Sequence, residues 1–526
     1  MANRIKYPIG QQDFKTLRMR DCVYVDKTRF IEKIVHEGSQ YYFLARPRRF
    51  GKSLFLSTLQ YFFEGQRELF KGLYVDSINW RWEKYPVLHL DLNTSRYDDP
   101  GMLKGALDRI FRNWEEQYEV EVKDTDYSQR FATIIKIAHE KTGMPVVILV
   151  DEYDKPLVGN LSNNDNFDNY KKELASLYSN FKSSAEHIRL VFLTGVSRFS
   201  KLSVFSDLNN LNDITFDEGF SDICGITENE LSDNFGIGIE ELADKSGVSF
   251  LKACDELKRN YDGYCFTKYG NFIYNPWSLL NCLDKREIAN YWNETGIPTL
   301  LAESLKRVNA DLEKTFNSYC TEDDLKGLDL LNPNPLALLF QTGYLTIKSY
   351  NPKIRRIRLG LPNNEVKKGF LNVLLPYYVR CKHAMSNQVV DDIVINFILG
   401  KPDKAMEALQ AYFAGIDFKL KIENENNFHN AFFLLIDLIG LEATAEAHTS
   451  DGSIDITIKT DDYIYIIELK YDHSAEDALQ QIKEKKYARP YQTDSRGIVE
   501  IGVAFSSKTR CIEDWKIVNY KQSLRL

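Results

Sequence analysis

The 526-residue sequence predicts an α/β chain: a parallel sheet near its beginning, a mainly helical middle containing a helix-and-hairpin unit, and a second α/β domain near its end. Three stretches carry that expectation. Tyr41–Ala45 is an apolar run that turns into a basic loop and then into an apolar helix. Val146–Asp151 is a continuous β-branched run ending in carboxylates, the pattern of a strand buried on both faces of a parallel sheet. Ser453–Ile458 and Tyr463–Lys470 alternate apolar and polar residues around a short turn, with acids at positions 455 and 468. A chain of this length exceeds one core, and three domains are expected, over 1–225, 226–400 and 401–526.

Hydrophobic residues make up 44% and charged residues 27%, ordinary for globular domains, and no stretch approaches the roughly 20 apolar residues of a membrane span. Met1–Pro8 lacks the apolar core of a secretory signal, so a cytoplasmic protein without a membrane partner is expected. The eight cysteines (Cys22, Cys224, Cys254, Cys265, Cys282, Cys320, Cys381 and Cys511) form no C-x-x-C pair and no ligand spacing with histidine. They read as reduced structural thiols. A net charge of -8 excludes a generally basic surface, so any nucleic-acid contact has to be local.

Along the chain, Tyr24–Thr28 reads as a short strand and turn leading into a helix through Val35. The basic loop Arg46-Pro47-Arg48-Arg49-Phe50-Gly51-Lys52-Ser53 then opens a helix running to Phe63. This is how a phosphate-binding loop is built. Backbone N–H groups at the helix N-terminus face the anion, Lys52 reaches the β/γ phosphates, and the Ser53 hydroxyl ligates Mg²⁺. Arg49, Gly51, Lys52 and Ser53 are the candidate nucleotide contacts. The usual pattern G-x-x-x-x-G-K-[ST] has Arg46 in place of its first glycine, and spacing does not choose among Arg46, Arg48 and Arg49 as an extra phosphate ligand.

Pro86–Leu92 reads as a buried strand, Met102–Tyr118 carries a helical apolar stripe, and a further helix follows over Phe131–Lys141. The carboxylates ending Val146–Asp151 lie at the edge where ligands bind in open α/β sheets, the shape of a Walker B element. Asp151 would hold Mg²⁺ and Glu152 would polarise the water attacking the γ-phosphate. A third strand, Ile188–Leu193, runs into Thr194-Gly195-Val196-Ser197-Arg198, which makes Arg198 a candidate γ-phosphate sensor.

In the middle region, Asn260–Phe266 reads as a turn at Asp262-Gly263 between aromatic strand residues, and Tyr274–Ser278 as a helix start at Pro276. No chemistry follows from either. Leu336–Gln341 reads as a short helix, followed by strands 343–348 and 354–359 around Asn351-Pro352. Together they suggest a winged helix, with Lys348, Lys353, Arg355, Arg356 and Arg358 as candidate phosphate contacts.

The composition resets near Lys421, where Glu425–His429 leads into an apolar helix. On the alternating strands that follow, period two puts Glu468 and Lys470 on one face. Asp455 and Glu468 would ligate Mg²⁺, and Lys470 would orient or deprotonate the attacking water in phosphodiester hydrolysis. The same triplet at Glu256-Leu257-Lys258 lies in a helix, where a solvated face explains it. The copy at Glu468 differs because it closes a buried strand, follows an embedded acid and precedes a helix, Ala475–Ala488, carrying Gln480, Gln481 and Tyr487.

These stretches together resemble a family of bacterial proteins with an N-terminal AAA-ATPase-like domain and a C-terminal PD-(D/E)XK nuclease-superfamily domain. The matching residues are Arg46–Ser53, Val150–Asp154, Thr194–Arg198, Tyr261–Tyr264, Tyr274–Trp277, and Glu425 with His429, Asp455, Glu468, Lys470 and Gln481. Asn260 and Ser453 depart from the pattern. The resemblance implies a P-loop NTPase fold and a restriction-endonuclease-like fold. It implies ATP and Mg²⁺ at Lys52, Ser53, Asp151 and Glu152, a nuclease centre at Asp455, Glu468, Lys470 and Gln481, and Glu425 as a further acid. The Arg at position 46 is a family trait.

The expected function is an ATP-gated, Mg²⁺- or Mn²⁺-dependent nuclease acting on DNA or RNA, in which nucleotide repositions the C-terminal domain or assembles a homo-oligomer. Two alternatives stay open. One is a nucleotide-dependent DNA-binding regulator with an inert nuclease-like domain, and the other a signalling NTPase scaffold.

Overall fold

A computed structural model describes residues 5–122, 126–160, 164–198, 210–292, 305, 312–327, 334–378, 386–414, 430–432, 434, 442–449, 452–509 and 511–519. The chain forms two compact units, Met1–Asn293 with Ser318–Val366, and Glu294–Asn317 with Lys367–Leu526. No described helix is long and apolar enough to cross a membrane.

The first unit is built on a five-stranded sheet of β1 (Tyr41–Ala45), β2 (Val87–Asp91), β3 (Val146–Asp151), β4 (Ile188–Gly195) and β5 (Asn212–Asp213), in the order β2-β3-β4-β1-β5. Every pairing is parallel. Parallel neighbours need long crossovers, supplied here by helices that include Lys52–Phe63, Met102–Gln117, Tyr127–Thr142 and Asn164–Ser183. Every residue of β1 and β3 is buried, as their unbroken apolar runs require. Parallel register also gathers the strand ends on one edge: Ala45 lies opposite Gly195, and Asp91 opposite Asp151.

After the sheet, helices Glu228–Ser246, Phe250–Tyr261 and Pro276–Lys285 close on a core that includes Leu231, Phe235, Leu242, Leu257 and Leu279. Here the expected aromatic hairpin around Asp262-Gly263 is wrong on its first side. Tyr261 ends a helix, because Ala253, Leu257 and Tyr261 form a buried stripe at a spacing of four and the Ser249 hydroxyl caps the start. Only Tyr264 makes a strand-like bridge, to Ile273, beside the short pair β6 (Ile226–Thr227) and β7 (Ile273–Tyr274).

The helix Pro335–Gln341 and a three-stranded sheet follow, with β8 (Tyr319–Cys320), β9 (Thr346–Asn351) and β10 (Arg356–Gly360) in the order β8-β10-β9. Asn351 pairs with Arg356, so the turn falls at Pro352–Arg355 and the second strand begins two residues later than its alternation suggests. Lys353, Arg355, Arg356 and Arg358 are exposed. Lys348 is not: its Nζ donates to the Pro362 carbonyl at 2.9 Å, and burial lowers its pKa to about 8.

The second unit carries β11 (Glu442–Thr449), β12 (Gly452–Lys459), β13 (Tyr463–Tyr471), β14 (Gly497–Ser506) and β15 (Cys511–Asn519), in sequential order. Only β13 and β14 are parallel, joined by the helix Ala475–Glu484. That helix lies close on the sheet because position 502 is glycine: an added Cβ would stand 2.3 Å from the Ala475 carbonyl oxygen. It stops short of Ala488, and Lys486 adopts φ 50° just after it. Glu425 and His429 lie outside the described residues.

Candidate nucleotide and metal sites

The basic loop joins β1 to the helix Lys52–Phe63, and Gly51 caps that helix at φ 96°, a conformation that L side chains rarely adopt. A Cβ built at Gly51 meets nothing within 4 Å, so the helix N-terminus faces open space. Lys52 is buried and its Nζ donates to the carbonyls of Arg46 (2.9 Å) and Pro47 (3.0 Å). The cation thus sits within the loop, where phosphate oxygens can replace neutral carbonyls. Ser53 is half-buried at the first turn.

The three loop arginines divide. Arg46 points into the protein at 1% exposure, with Nη1 donating to Ala45 and Thr215 carbonyls (2.9 and 2.8 Å) and Nη2 to the Phe220 carbonyl (3.3 Å). Its guanidinium lies 4.6 Å from the centre of the Phe266 ring, and burial lowers its pKa to about 10. Arg46 is therefore a strut of the loop. Arg49 is exposed, at φ 66°, with its guanidinium on the Trp277 ring. Arg48 is half-buried.

At the sheet edge Asp151 is buried, accepting from the Thr194 hydroxyl at 2.6 Å and from the Glu152 N–H at 3.0 Å. Glu152 adopts φ 50° and faces Lys155 at 3.6 Å. Asp91, opposite Asp151, has its pKa raised, first by burial and then by the Asp151 charge. Arg198 forms an ion pair with Asp213 at 2.6 Å, and its N–H donates to Gln341 at 2.8 Å.

One structural residue carried no role in the sequence reading. Asp154 is 2% exposed and accepts from the N–H groups of Val196 (3.1 Å) and Ser197 (2.7 Å), tying the β4 loop to the end of β3; burial raises its pKa to about 6. Asp154→Ala leaves both N–H groups buried without an acceptor and should cost about 2–4 kcal/mol in chemical denaturation. Asp154→Asn, which keeps one acceptor oxygen, should lose less.

The two motifs that yielded no chemistry surround the phosphate loop. Phe50 packs edge-on against Tyr264 (4.8 Å) and Phe266 (5.4 Å), and Trp277 covers Arg49. Gly343, at φ 87°, meets Pro47 so closely that an added Cβ would stand 2.9 Å from the proline ring. Only long-range packing reveals this role. Beside Gly51 lies an apolar cavity of about 90 Å³, lined by Tyr24, Val25, Leu54, Cys224, Ile226 and Pro276 among others.

In the second unit, β12 and β13 pair Ile456 with Ile467, so Asp455 and Glu468 follow at the end of that ladder. Asp455 accepts from the Leu469 N–H at 2.8 Å. Lys470 Nζ stands 3.2 Å from Glu468 Oε1, to which Gln481 Nε2 also donates from the crossover helix; the same amide lies 3.4 Å from the Tyr487 hydroxyl. Asp455, Glu468, Lys470 and Gln481 are thus brought together.

The Glu468 side chain is 1% exposed and its Oε2 has no hydrogen-bond partner. Burial, followed by the Asp455 charge, raises its pKa to about 7, against the opposing pull of Lys470. Two adjacent carboxylates, one with an unbonded buried oxygen, fit a divalent cation, which would relieve both the repulsion and the orphaned acceptor. No group of three or more His, Cys, Asp or Glu suited to a metal occurs among the described residues. Water and substrate phosphate would complete the shell of an ion such as Mg²⁺, which dehydrates reluctantly.

The fold and these sites define a P-loop NTPase domain followed by a nuclease-type domain. Residues 8–205 match the family described as "Predicted AAA-ATPase", and residues 423–515 match the PD-(D/E)XK nuclease superfamily. An "Uncharacterized protein in vnfD 5'region" of Azotobacter chroococcum mcd 1 is 35% identical over 97% of this chain and 98% of its own length. The chain belongs to the family that joins a predicted AAA-ATPase domain to a PD-(D/E)XK nuclease-superfamily domain. A solved structure, the Aeropyrum pernix ORC2 protein in ADPNP-ADP complexes, is similar at 11% identity over 72% of this chain and 97% of that one, with a TM-score of 0.23.

Proposed function

We propose that the chain is an ATP-binding, Mg²⁺-dependent nuclease in which the N-terminal domain controls a phosphodiesterase centre acting on nucleic acid, with DNA as the first substrate to test. The observation carrying the nuclease reading is the meeting of Asp455, Glu468 and Lys470 around an unbonded buried carboxylate oxygen. A bound Mg²⁺ or Mn²⁺ would stabilise charge on the scissile phosphate and acidify water. Asp455 and Glu468 hold the ion. Lys470 orients the attacking water from 3.2 Å off Glu468, and Gln481 fixes the Glu468 carboxylate. Glu425 serves as a further acid.

In the N-terminal domain, Lys52, Ser53 and the Gly51 end of the helix bind the phosphates, Asp151 holds Mg²⁺ and Glu152 activates water. The apolar cavity beside Gly51 receives the base. Arg198 senses the γ-phosphate only after parting from Asp213. The exposed Lys353, Arg355, Arg356 and Arg358 bind nucleic-acid phosphates, so residues 226–400 serve as a nucleotide lid and a nucleic-acid contact. The protein acts in the cytoplasm, and assembly into a homo-oligomer is one route for nucleotide control.

The test is cleavage of plasmid and single-stranded DNA with Mg²⁺ or Mn²⁺. Lys470→Ala should lose at least about 10²-fold in rate, and Lys52→Ala should lose ATP dependence. Equal activity in wild type and Lys470→Ala would remove the nuclease assignment. ATP-sensitive DNA binding without cleavage would favour a regulator.

A further inference from the structure

Arg49 occupies the left-handed region, uncommon for any residue but glycine. Its guanidinium lies 4.4 Å from the Trp277 ring centre, and Nη1 donates to the Tyr291 carbonyl at 3.1 Å. Trp277 Nε1 donates to that same carbonyl at 3.1 Å. Beyond it, the N–H groups of Tyr291 (2.5 Å) and Trp292 (3.0 Å) donate to one oxygen of Glu365, a carboxylate 2% exposed. The first unit's two segments end at Asn293 and Val366, so Tyr291-Trp292 and Glu365 stand just before the chain's two departures from it.

We propose that Arg49 is the nucleotide-sensing residue of the phosphate loop and that Trp277 is its positioning residue. Trp277 holds the guanidinium on the Tyr291 carbonyl when the terminal phosphate is absent and releases it when that phosphate arrives. The inference rests on the nucleotide-binding reading above. Its chemistry is an exchange of partners. A neutral carbonyl and an aromatic face hold a guanidinium weakly, whereas a phosphate takes it with charge-assisted, bidentate bonds. Departure of Arg49 removes one of the two side-chain donors to Tyr291, whose own N–H is fixed to Glu365. Occupancy of the loop is thereby felt at the two points where the chain leaves the unit.

The test is titration of the full-length protein with fluorescent ATP and ADP analogues. Arg49→Ala should weaken ATP at least about 10-fold while changing ADP less than about threefold. Trp277→Ala should tighten ATP about threefold to tenfold, because the competing site is lost, and leave ADP unchanged. Trp277→Phe, which keeps an aromatic face, should return ATP affinity toward the wild-type value. The inference is overturned if Trp277→Ala matches wild type for both nucleotides, if it weakens both equally without rescue by Phe, or if Arg49→Ala weakens both equally. Absence of nucleotide binding by wild type, matched by Lys52→Ala, would overturn the underlying reading as well.

Discussion

Glu468→Gln is expected to abolish metal-dependent cleavage, by at least about 10³-fold, and at pH 8 to make the metal-free protein more stable than wild type. The two effects share one cause. The carboxyl titrates near 7 in the fold, against an ordinary value of 4.5, so the folded protein holds this proton more tightly than the unfolded chain does. The stability associated with the proton is fully present below pH 4.5 and is lost as pH rises through 7, a difference on the order of 1–3 kcal/mol for so buried a group. Glutamine keeps the shape and stays neutral, so the variant's melting temperature should lose this decline between pH 4.5 and 8. Adding Mg²⁺ or Mn²⁺ at pH 8 should raise the melting temperature of wild type and not of Glu468→Gln. Scanning fluorimetry across pH, with and without metal, checks both. Parallel pH profiles for the two proteins would contradict a buried, proton-retaining carboxylate.

Arg46→Gly, which restores the glycine of the usual phosphate-loop pattern, is expected to unfold the first unit's nucleotide site and not to improve it. The arginine fills a fully buried volume, satisfies the carbonyls of Ala45, Thr215 and Phe220, and lies on the Phe266 ring. Glycine would leave a cavity and unpaired acceptors together, about 4 kcal/mol or more. Arg46→Met, which fills much of the space, should cost roughly half of that. Denaturant unfolding measures both. A midpoint for Arg46→Gly equal to that of wild type would show that the loop does not depend on this strut.

What the sequence made legible was what local pattern carries. The β-branched run of β3 has one reading, because a strand covered on both faces needs unbroken apolar residues. The alternation of β12 and β13 likewise implied that Asp455 and Glu468 lie close, since a short turn leaves little freedom of register. Charge was a poorer guide. Arg46 and Lys348 look like phosphate ligands in basic stretches, yet both are turned inward onto carbonyls, a choice set by Phe266, Thr215 and Pro362 far along the chain. Tyr261 was misread because an Asp-Gly pair after an aromatic residue is as good a helix end as a hairpin turn. The roles of Tyr264, Trp277 and Gly343 were illegible for a different reason: the loop they cover is distant in sequence.

That distance has a consequence for synthesis. Pro47, Arg49 and Phe50 emerge early from the ribosome, but Gly343, Trp277 and Tyr264, which respectively cover them, emerge much later, and the chain departs into the second unit before it returns with Gly343. Contacts of such high sequence separation form late in folding. A nascent chain should therefore expose an unfinished, strongly basic loop through much of its translation, and its capacity to hold nucleotide should appear abruptly once residues up to Val366 are free to fold.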